Sequence, residues 1–403
     1  MKTLPQGWRE VALDKLATRG SGHTPDRQMK SYWDGGIKWV SLADTNKLDR
    51  VTISETSFEI SEDGIENSSA VKHPAGSVIV SRDAGVGKSA ITTSEMAVSQ
   101  HFIAWQCGRD LHNYFLYYWL QKKKPLFERM AVGSTIKTIG LPFFAKLTIQ
   151  APLLPEQKRI AHCLLTWDHG ILKLEALLAA KRDLKRGLMQ RLLTGRTRFK
   201  EFKGEKWRRV CVSDIIEQVT RRNSSGCHRV LTGSGEHGLI DQREYYSRRV
   251  ASEDVSSYYL VKRGEFAYNR SSSNGYPFGA IKRLDAYDEG VLSTLYLVFR
   301  IKNSVVVDSN FLDHIFEGGY FIAQLGRLCR EGARSHGLLN ITADEFFSMN
   351  MQLPSINEQK RIAAVLNVCD REIELLQKQL AALKEQKRGL MQKLLTGEIR
   401  VKV

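Results

Sequence analysis

The sequence predicts an α+β fold in which two β-rich domains alternate with two long helices, the helices pairing as an antiparallel coiled coil with pseudo-twofold symmetry. Three observations predict it. A 40-residue segment recurs at a fixed offset, both copies carry coiled-coil periodicity, and the stretches ahead of them share a fainter common plan. The expected boundaries are a β-rich domain over 1–152, a helical region over 153–200, a second β-rich domain over 201–354 and a second helical region over 355–403. At 403 residues the chain is long for one domain and suits two to four, each able to bury its own core.

The repeat is the firmest element. Glu156-Gln157-Lys158-Arg159-Ile160-Ala161 returns as Glu358-Gln359-Lys360-Arg361-Ile362-Ala363. Lys185-Arg186-Gly187-Leu188-Met189-Gln190 returns as Lys387-Arg388-Gly389-Leu390-Met391-Gln392, and Leu192-Leu193-Thr194-Gly195 as Leu394-Leu395-Thr396-Gly397. The offset is 202 throughout, and 23 of 40 positions are identical, which chance does not produce. In the second copy Ile362, Leu366, Cys369, Ile373, Leu376, Leu380, Leu383, Leu390 and Leu394 alternate steps of four and three, broken only at Lys387. That spacing keeps one helix face against a partner. The first copy follows with Ile160, Leu164, Trp167, Ile171, Leu174, Leu178, Leu188 and Leu192, with Lys181 and Lys185 between. Pro155 suits a first helical turn, Ser355-Ile356-Asn357-Glu358 has capping-box form, and Gly195 and Gly397 stand where C-terminal caps belong. Gly187 and Gly389 fall inside the helices, where glycine costs ~1 kcal/mol against alanine. The matched pair points to close approach of another backbone, or to a local kink.

The β-rich segments correspond more faintly. Trp8-Arg9-Glu10-Val11 answers Trp207-Arg208-Arg209-Val210, and Gly76-Ser77-Val78-Ile79-Val80-Ser81-Arg82 answers Gly264-Glu265-Phe266-Ala267-Tyr268-Asn269-Arg270. Short β-branched and aromatic runs between Gly, Ser and Asp turns read as strands, with one helix near 111–131 and another near 310–330.

Composition bounds the chemistry. The net charge is +16, and a basic balance points to a polyanionic partner, because neutralising phosphates releases condensed counterions. The excess sits in the helical stretches: 11 basic against 4 acidic residues over 156–200, and 10 against 6 over 358–403. Only +4 remains over 1–155 and +1 over 201–357, so these domains must use local clusters rather than an overall field. The six cysteines form no Cys-x-x-Cys pair, which signals neither zinc nor a disulfide framework and fits a reducing cytoplasm. The N-terminus lacks a signal-peptide core, and the most apolar run, Tyr114 to Leu120, is far short of the ~18 residues a membrane span needs. The expected location is cytoplasmic, with no membrane partner.

A helix of ~40 residues is ~60 Å long. Two such helices folded back on each other make a ruler that can hold two heads for successive major grooves on one face of DNA, ~34 Å apart. Unlike heads imply unlike half-sites.

On these residues the chain resembles, over its whole length, the specificity subunit of type I restriction-modification enzymes. The two Glu-Gln-Lys-Arg-Ile-Ala helix starts and the two Gly-Leu-Met-Gln-x-Leu-Leu-Thr-Gly ends carry the resemblance. The first domain adds Gly22-His23-Thr24-Pro25, Tyr32-Trp33-Asp34-Gly35-Gly36-Ile37-Lys38-Trp39 and Ser81-Arg82-Asp83-Ala84-Gly85-Val86-Gly87-Lys88. His23 stands where a small residue is more usual, and the second domain departs further at Asn269-Arg270-Ser271-Ser272-Ser273-Asn274-Gly275. The resemblance implies that 1–152 and 201–354 are target recognition domains, each reading one half of an asymmetric bipartite site in double-stranded DNA. It implies a helical pair that sets the spacer and docks two methyltransferase subunits, with restriction subunits joining that core. S-adenosylmethionine, ATP and Mg are then expected on partner subunits and no cofactor in this chain. The complex would perform adenine DNA methylation and ATP-dependent restriction, with this chain non-catalytic.

Gly85-Val86-Gly87-Lys88-Ser89 ends like a P-loop, but Arg82 stands where that pattern needs glycine and no phosphate cradle surrounds it. A Gly-rich β-loop carrying Arg82 and Lys88 near DNA is the better reading, with a plain surface turn as the alternative. Candidate DNA-binding residues are Arg19, His23, Thr24, Lys38, Arg82, Lys88 and Lys137 in the first domain. In the second they are Arg221, Arg222, Asn223, His237, Asn269, Arg270, Arg334 and His336. Arginine and lysine can pair with guanine, although half or more of protein–DNA contacts go to the backbone. Catalytic and metal residues are expected to be none. The nine prolines include no Pro-Pro pair, so the amino-methyltransferase N/D-P-P-Y motif is absent; Pro25-Asp26 has no nearby Glu-x-Lys, and no His-x-x-x-His occurs. A self-contained enzyme, a coiled-coil adaptor without a DNA role, and the specificity subunit of a related single-complex system are the alternatives.

Overall fold

A computed structural model of the chain describes residues 4–235, 238–246, 252–272, 275–328, 330–331 and 339–401. They form two compact units, Met1–Glu175 with Lys378–Val403, and Ala176–Gln377. The division runs through both long helices, Leu154–Leu192 and Ile356–Leu394, each of 39 residues. Each unit therefore holds one β-rich head and part of each helix.

In the first unit the main sheet orders strands Ala17–Ser21, Phe102–Cys107, Val78–Ser81, Ser89–Thr92 and Thr52–Ile53, antiparallel except for the last pair. Strand side chains alternate between faces, and here both faces are covered. Val78, Val80, Ile103 and Trp105 pack with Phe115 to Leu120 of the helix Asn113–Met130. Ile79, Ala90 and Ala104 pack the other way, with Val40, Met96 and Val98 of a second sheet. That sheet orders Phe58–Ile60, Trp33–Val40, Met96–Val98 and Lys72–His73. Strands Arg9–Ala12 and Thr148–Ala151 pair as a clip that closes the head just before the first long helix.

The second unit repeats the plan. Its main sheet orders Ile216–Gln218, Leu297–Ile301, Phe266–Asn269 and Ala280–Arg283, all antiparallel. The clip is Arg208–Cys211 with Asn350–Leu353. A hairpin, Leu231–Ser234 with Gly238–Asp241, and the pair Tyr259–Lys262 with Glu289–Leu292 stand in for the second sheet. The helix expected near 310–330 is two helices, Ser309–Glu317 and Ile322–Leu328. Gly319 between them has φ +70°, which a right-handed helix cannot hold.

The long helices end as their sequence predicts. Gly195 and Gly397 adopt φ +69° and +70°, and their amides bond back to the carbonyls of Leu192 and Leu394. Two expectations are corrected. No capping box forms at Ser355: its Oγ has no partner, and the Glu358 carboxylate that would accept from the Ser355 amide is taken by Arg198 and Trp207. Gly187 and Gly389 approach no other backbone among the described residues, since a Cβ built on either meets nothing within 4 Å, and both helices run through them unbroken.

Within each unit the helices are antiparallel. In the first, Lys387 meets Asp168 at 2.5 Å and Lys384 meets Glu175 at 2.6 Å. In the second, Lys185 meets Asp370 at 2.5 Å and Lys181 meets Glu372 at 2.7 Å. Ile160, Leu164, Ile171 and Leu174 bury the seam in the first unit, and Leu178, Leu192, Ile362 and Leu366 in the second. Leu172, Leu177, Leu184, Val368 and Leu375 point outward and stay exposed. Among the described residues no helix is long and apolar enough to cross a membrane.

Candidate nucleic-acid interface

The repeated Glu-Gln at each helix start builds the frame that holds the heads. Glu156 is buried and accepts two bonds from Arg400, at 2.6 and 2.8 Å. Glu358 accepts two from Arg198, at 2.9 and 2.7 Å, and one from Trp207 Nε1 at 2.9 Å. Bidentate charge-assisted pairs fix geometry as well as adding energy. The glutamines staple the head to the helix. Gln157 accepts from the His112 amide at 2.9 Å and donates to Asp110 and Pro152 carbonyls at 3.0 and 2.9 Å. Gln359 does the same with Asp308, Val306 and Pro354, at 2.9, 3.0 and 2.9 Å.

A second polar lock joins the head helix to the seam. In the first unit Tyr118 donates to Asp168 at 2.7 Å, and Asp168 also binds Lys387. In the second, the buried Lys185 bonds both oxygens of Glu317 at 2.9 Å, besides Asp370. Partial burial works against a charged Glu317, yet the neighbouring His314 and the Lys185 ammonium hold its carboxyl down at about 2. Burial likewise works against a charged Lys185, and Glu317 and Asp370 outweigh it to raise its pKa. His314, Glu317 and Asp370 each bring a possible ligand atom within 4.8 Å of the others. Lys185 already pairs with both carboxylates, so the group is built as an ion-pair cluster.

On this frame the loops of the first head converge through a chain of side-chain contacts. Thr24 Oγ1 bonds Gln100 Oε1 at 2.6 Å, the neighbouring His101 meets Asp83 at 2.6 Å, and Asp83 accepts from Thr138 Oγ1 at 2.5 Å. Arg82 Nε donates to the Ile139 carbonyl at 3.0 Å. Of the expected DNA-binding residues, Thr24, Arg82 and the exposed His23 and Lys137 therefore lie on loops tied to one another. Arg19, Lys38 and Lys88 are engaged elsewhere. Arg19 Nε bonds both oxygens of Asp14 at 3.1 and 3.0 Å. Lys38 holds the Ser54 carbonyl at 2.6 Å and Glu55 at 3.0 Å, and Lys88 holds the Thr45 carbonyl at 3.1 Å.

In the second head Arg270 is the counterpart of Arg82. It donates to the carbonyls of Leu295 and Ile341 at 2.9 and 3.0 Å, and its own carbonyl accepts from Leu339 at 2.8 Å, as that of Arg82 accepts from Ile139 at 3.0 Å. Asn269, beside it, accepts from the Ser271 amide at 3.1 Å. Arg221, Arg222 and Asn223 belong to another region. Arg221 bonds both oxygens of Glu265 at 2.9 and 2.7 Å. Arg222 bonds the Ser257 carbonyl and covers the Tyr259 ring at 4.8 Å. Asn223 is buried, with its amide on the carbonyls of Cys227 and Val255 at 2.9 and 3.3 Å. His237, Arg334 and His336 lie outside the described residues. Asp83, His101 and Thr138 escaped the sequence reading. The only signal was an acidic residue beside Arg82, and nothing linked it to a threonine 55 positions on.

Comparison with known proteins follows the same outline. A family model described as type I restriction modification DNA specificity domain matches residues 5–180 and 286–385. The type I restriction enzyme MjaVIII specificity subunit of Methanocaldococcus jannaschii is 25% identical over 440 aligned residues, covering 99% of this chain and 94% of that protein. The MjaIX specificity subunit of the same organism is 26% identical over 168 residues, 41% of this chain and 39% of that one. Among solved structures, the type I restriction-modification S subunit from M. genitalium shares the fold with a TM-score of 0.56 at 14% identity, covering 98% of this chain and 97% of that chain. A chain from a structure of type I R-M complex assembly and conformational transition reaches 0.60 at 16% identity, covering 99% and 100%.

Proposed function

The chain belongs to the family of type I restriction-modification DNA specificity proteins, and from that premise we propose that it chooses the DNA site at which a larger complex modifies and cuts. The head of the first unit reads one half of an asymmetric bipartite site, and the head of the second reads the other. The long helices set the spacer between half-sites and dock two methyltransferase subunits. S-adenosylmethionine, ATP and Mg act on those subunits and on the restriction subunits; this chain carries no catalytic step. The setting is the cytoplasm.

One contrast within the repeat carries this reading. Five pairs of frame residues at the 202-residue offset are the same in both units: Glu156 and Glu358, Gln157 and Gln359, Asp168 and Asp370, Lys185 and Lys387, Arg198 and Arg400. The loops set on that frame differ, Ser81-Arg82-Asp83-Ala84-Gly85 against Asn269-Arg270-Ser271-Ser272-Ser273. Equal supports with unequal loops suit a reader of two unequal half-sites, since backbone contacts position a protein on DNA and base contacts specify the site. The basic excess along the helical stretches supplies phosphate attraction that carries no sequence information.

The test is a map of modified adenines in the genome of a cell carrying the complete complex. One asymmetric two-part motif with a fixed spacer is expected; a single continuous motif contradicts the reading. DNA binding should weaken steeply as salt rises, and the chain alone should not methylate DNA when given S-adenosylmethionine.

A further inference from the structure

Residues Val132–Thr138 form a small, closed, outward loop. The Val132 amide bonds the Thr138 carbonyl at 3.0 Å and the Thr138 amide returns to Val132 at 2.9 Å, closing a five-residue loop over 133–137. Its shape depends on Gly133, at φ +127°, where a built Cβ would lie 2.3 Å from the Ile136 carbonyl oxygen. The base is pinned to the main sheet by three bonds. Ile139 and Arg82 exchange an amide bond and a guanidinium bond, both at 3.0 Å, and Thr138 donates to the buried Asp83. Asp83 also holds His101, so one carboxylate ties the loop to the turn at 99–101.

What this loop displays does not fit a surface facing only water. Ser134, Thr135, Ile136 and Lys137 are all exposed, with Ile136 at 55% and Val132 at 74%, and residues 131–140 contain no acidic residue. A cation, two hydroxyls and a branched apolar side chain on a preset backbone match a base edge in the major groove. Lysine can meet the acceptors of guanine, hydroxyls accept or donate, and an apolar group covers the thymine methyl.

We propose that Val132–Thr138 is a base-reading loop of the first target recognition domain, with Lys137 and Ile136 determining specificity and Asp83 and Arg82 acting as positioning residues. Arg82 then serves by holding the loop rather than by touching guanine. The proposal rests on the DNA-reading function above, and its test separates the two.

The full chain, assembled with its methyltransferase subunits, is given a library of random-sequence duplexes, and the modified sites are sequenced. Lys137→Ala and Ile136→Ala should each relax one or two positions of one half-site, lowering discrimination there about tenfold or more, while the other half-site stays as in the wild type. Asp83→Asn should relax the same positions as Lys137→Ala, and Lys137→Arg should restore them. Unchanged half-sites in both exposed variants, or a uniform loss of modification at all sequences, would overturn the proposal. If Gly133→Ala or Asp83→Asn prevents assembly, the exposed variants, which disturb no buried contact, still decide. A wild-type complex that shows no two-part preference refutes the underlying function instead.

Discussion

Glu358 is about 1% exposed as a side chain, and its carboxylate is held by Arg198 and the Trp207 indole. Removing one partner of a buried pair leaves the other charge uncompensated, a loss of about 3–5 kcal/mol. Arg198→Met should therefore lower the unfolding free energy of the second unit, read from urea titration, by about that much, whereas Arg186→Met, on an exposed pair with Asp183, should cost no more than about 1 kcal/mol. An equal effect of the two substitutions would contradict this account of the frame. At this scale the sequence was legible as a repeat but not as chemistry. Glu156 and Glu358 stood out as matched residues, yet the arginines that answer them lie 244 and 160 positions away. The same limit applied to the candidate DNA contacts. Charge marked out Arg19, Lys38, Arg82 and Arg221, but in the fold each already holds a carboxylate or a carbonyl.

The helices were the most legible elements, because a heptad pattern states both the element and the face it buries. Lys185 and Lys387 looked like interruptions of that pattern. They are instead the pins that fix the antiparallel register, each paired with the repeated aspartate of the other helix. The sequence misled where local form competes with tertiary partners. Ser355-x-x-Glu358 has the letters of a capping box, but Arg198 offers the glutamate a charged partner that a neutral amide cannot match. The cluster around Lys185 also sets a pH response. Glu317 has a folded pKa of about 2, below its ordinary 4.5, so its stabilising contribution is complete above about 4.5 and is lost as the pH falls through about 2. Acid unfolding of the second unit should follow that window, and Glu317→Gln should flatten it. A wild-type stability independent of pH between about 4.5 and about 2 would count against the cluster.

For the whole molecule, the order head, helix, head, helix was readable from the 202-residue offset alone. The strand plan of the heads was not, because short runs such as Val78–Ser81 and Ser89–Thr92 are buried throughout and show no alternation in sequence. The shared sheet order of the two heads emerges only from pairing. Since the first long helix is continuous from one unit into the other, a heptad inserted at its midpoint, and matched in the second helix, adds ~10 Å of rise. The modified motif should then gain spacer base pairs while both half-site sequences stay the same.

The claim beneath all of this is that each head reads its own half-site. Replacing residues 201–354 with the corresponding segment of another family member, then mapping modified adenines across a genome, tests it directly. The account predicts that one half-site changes and the other is retained base for base. A motif in which both halves change, or neither does, would contradict it.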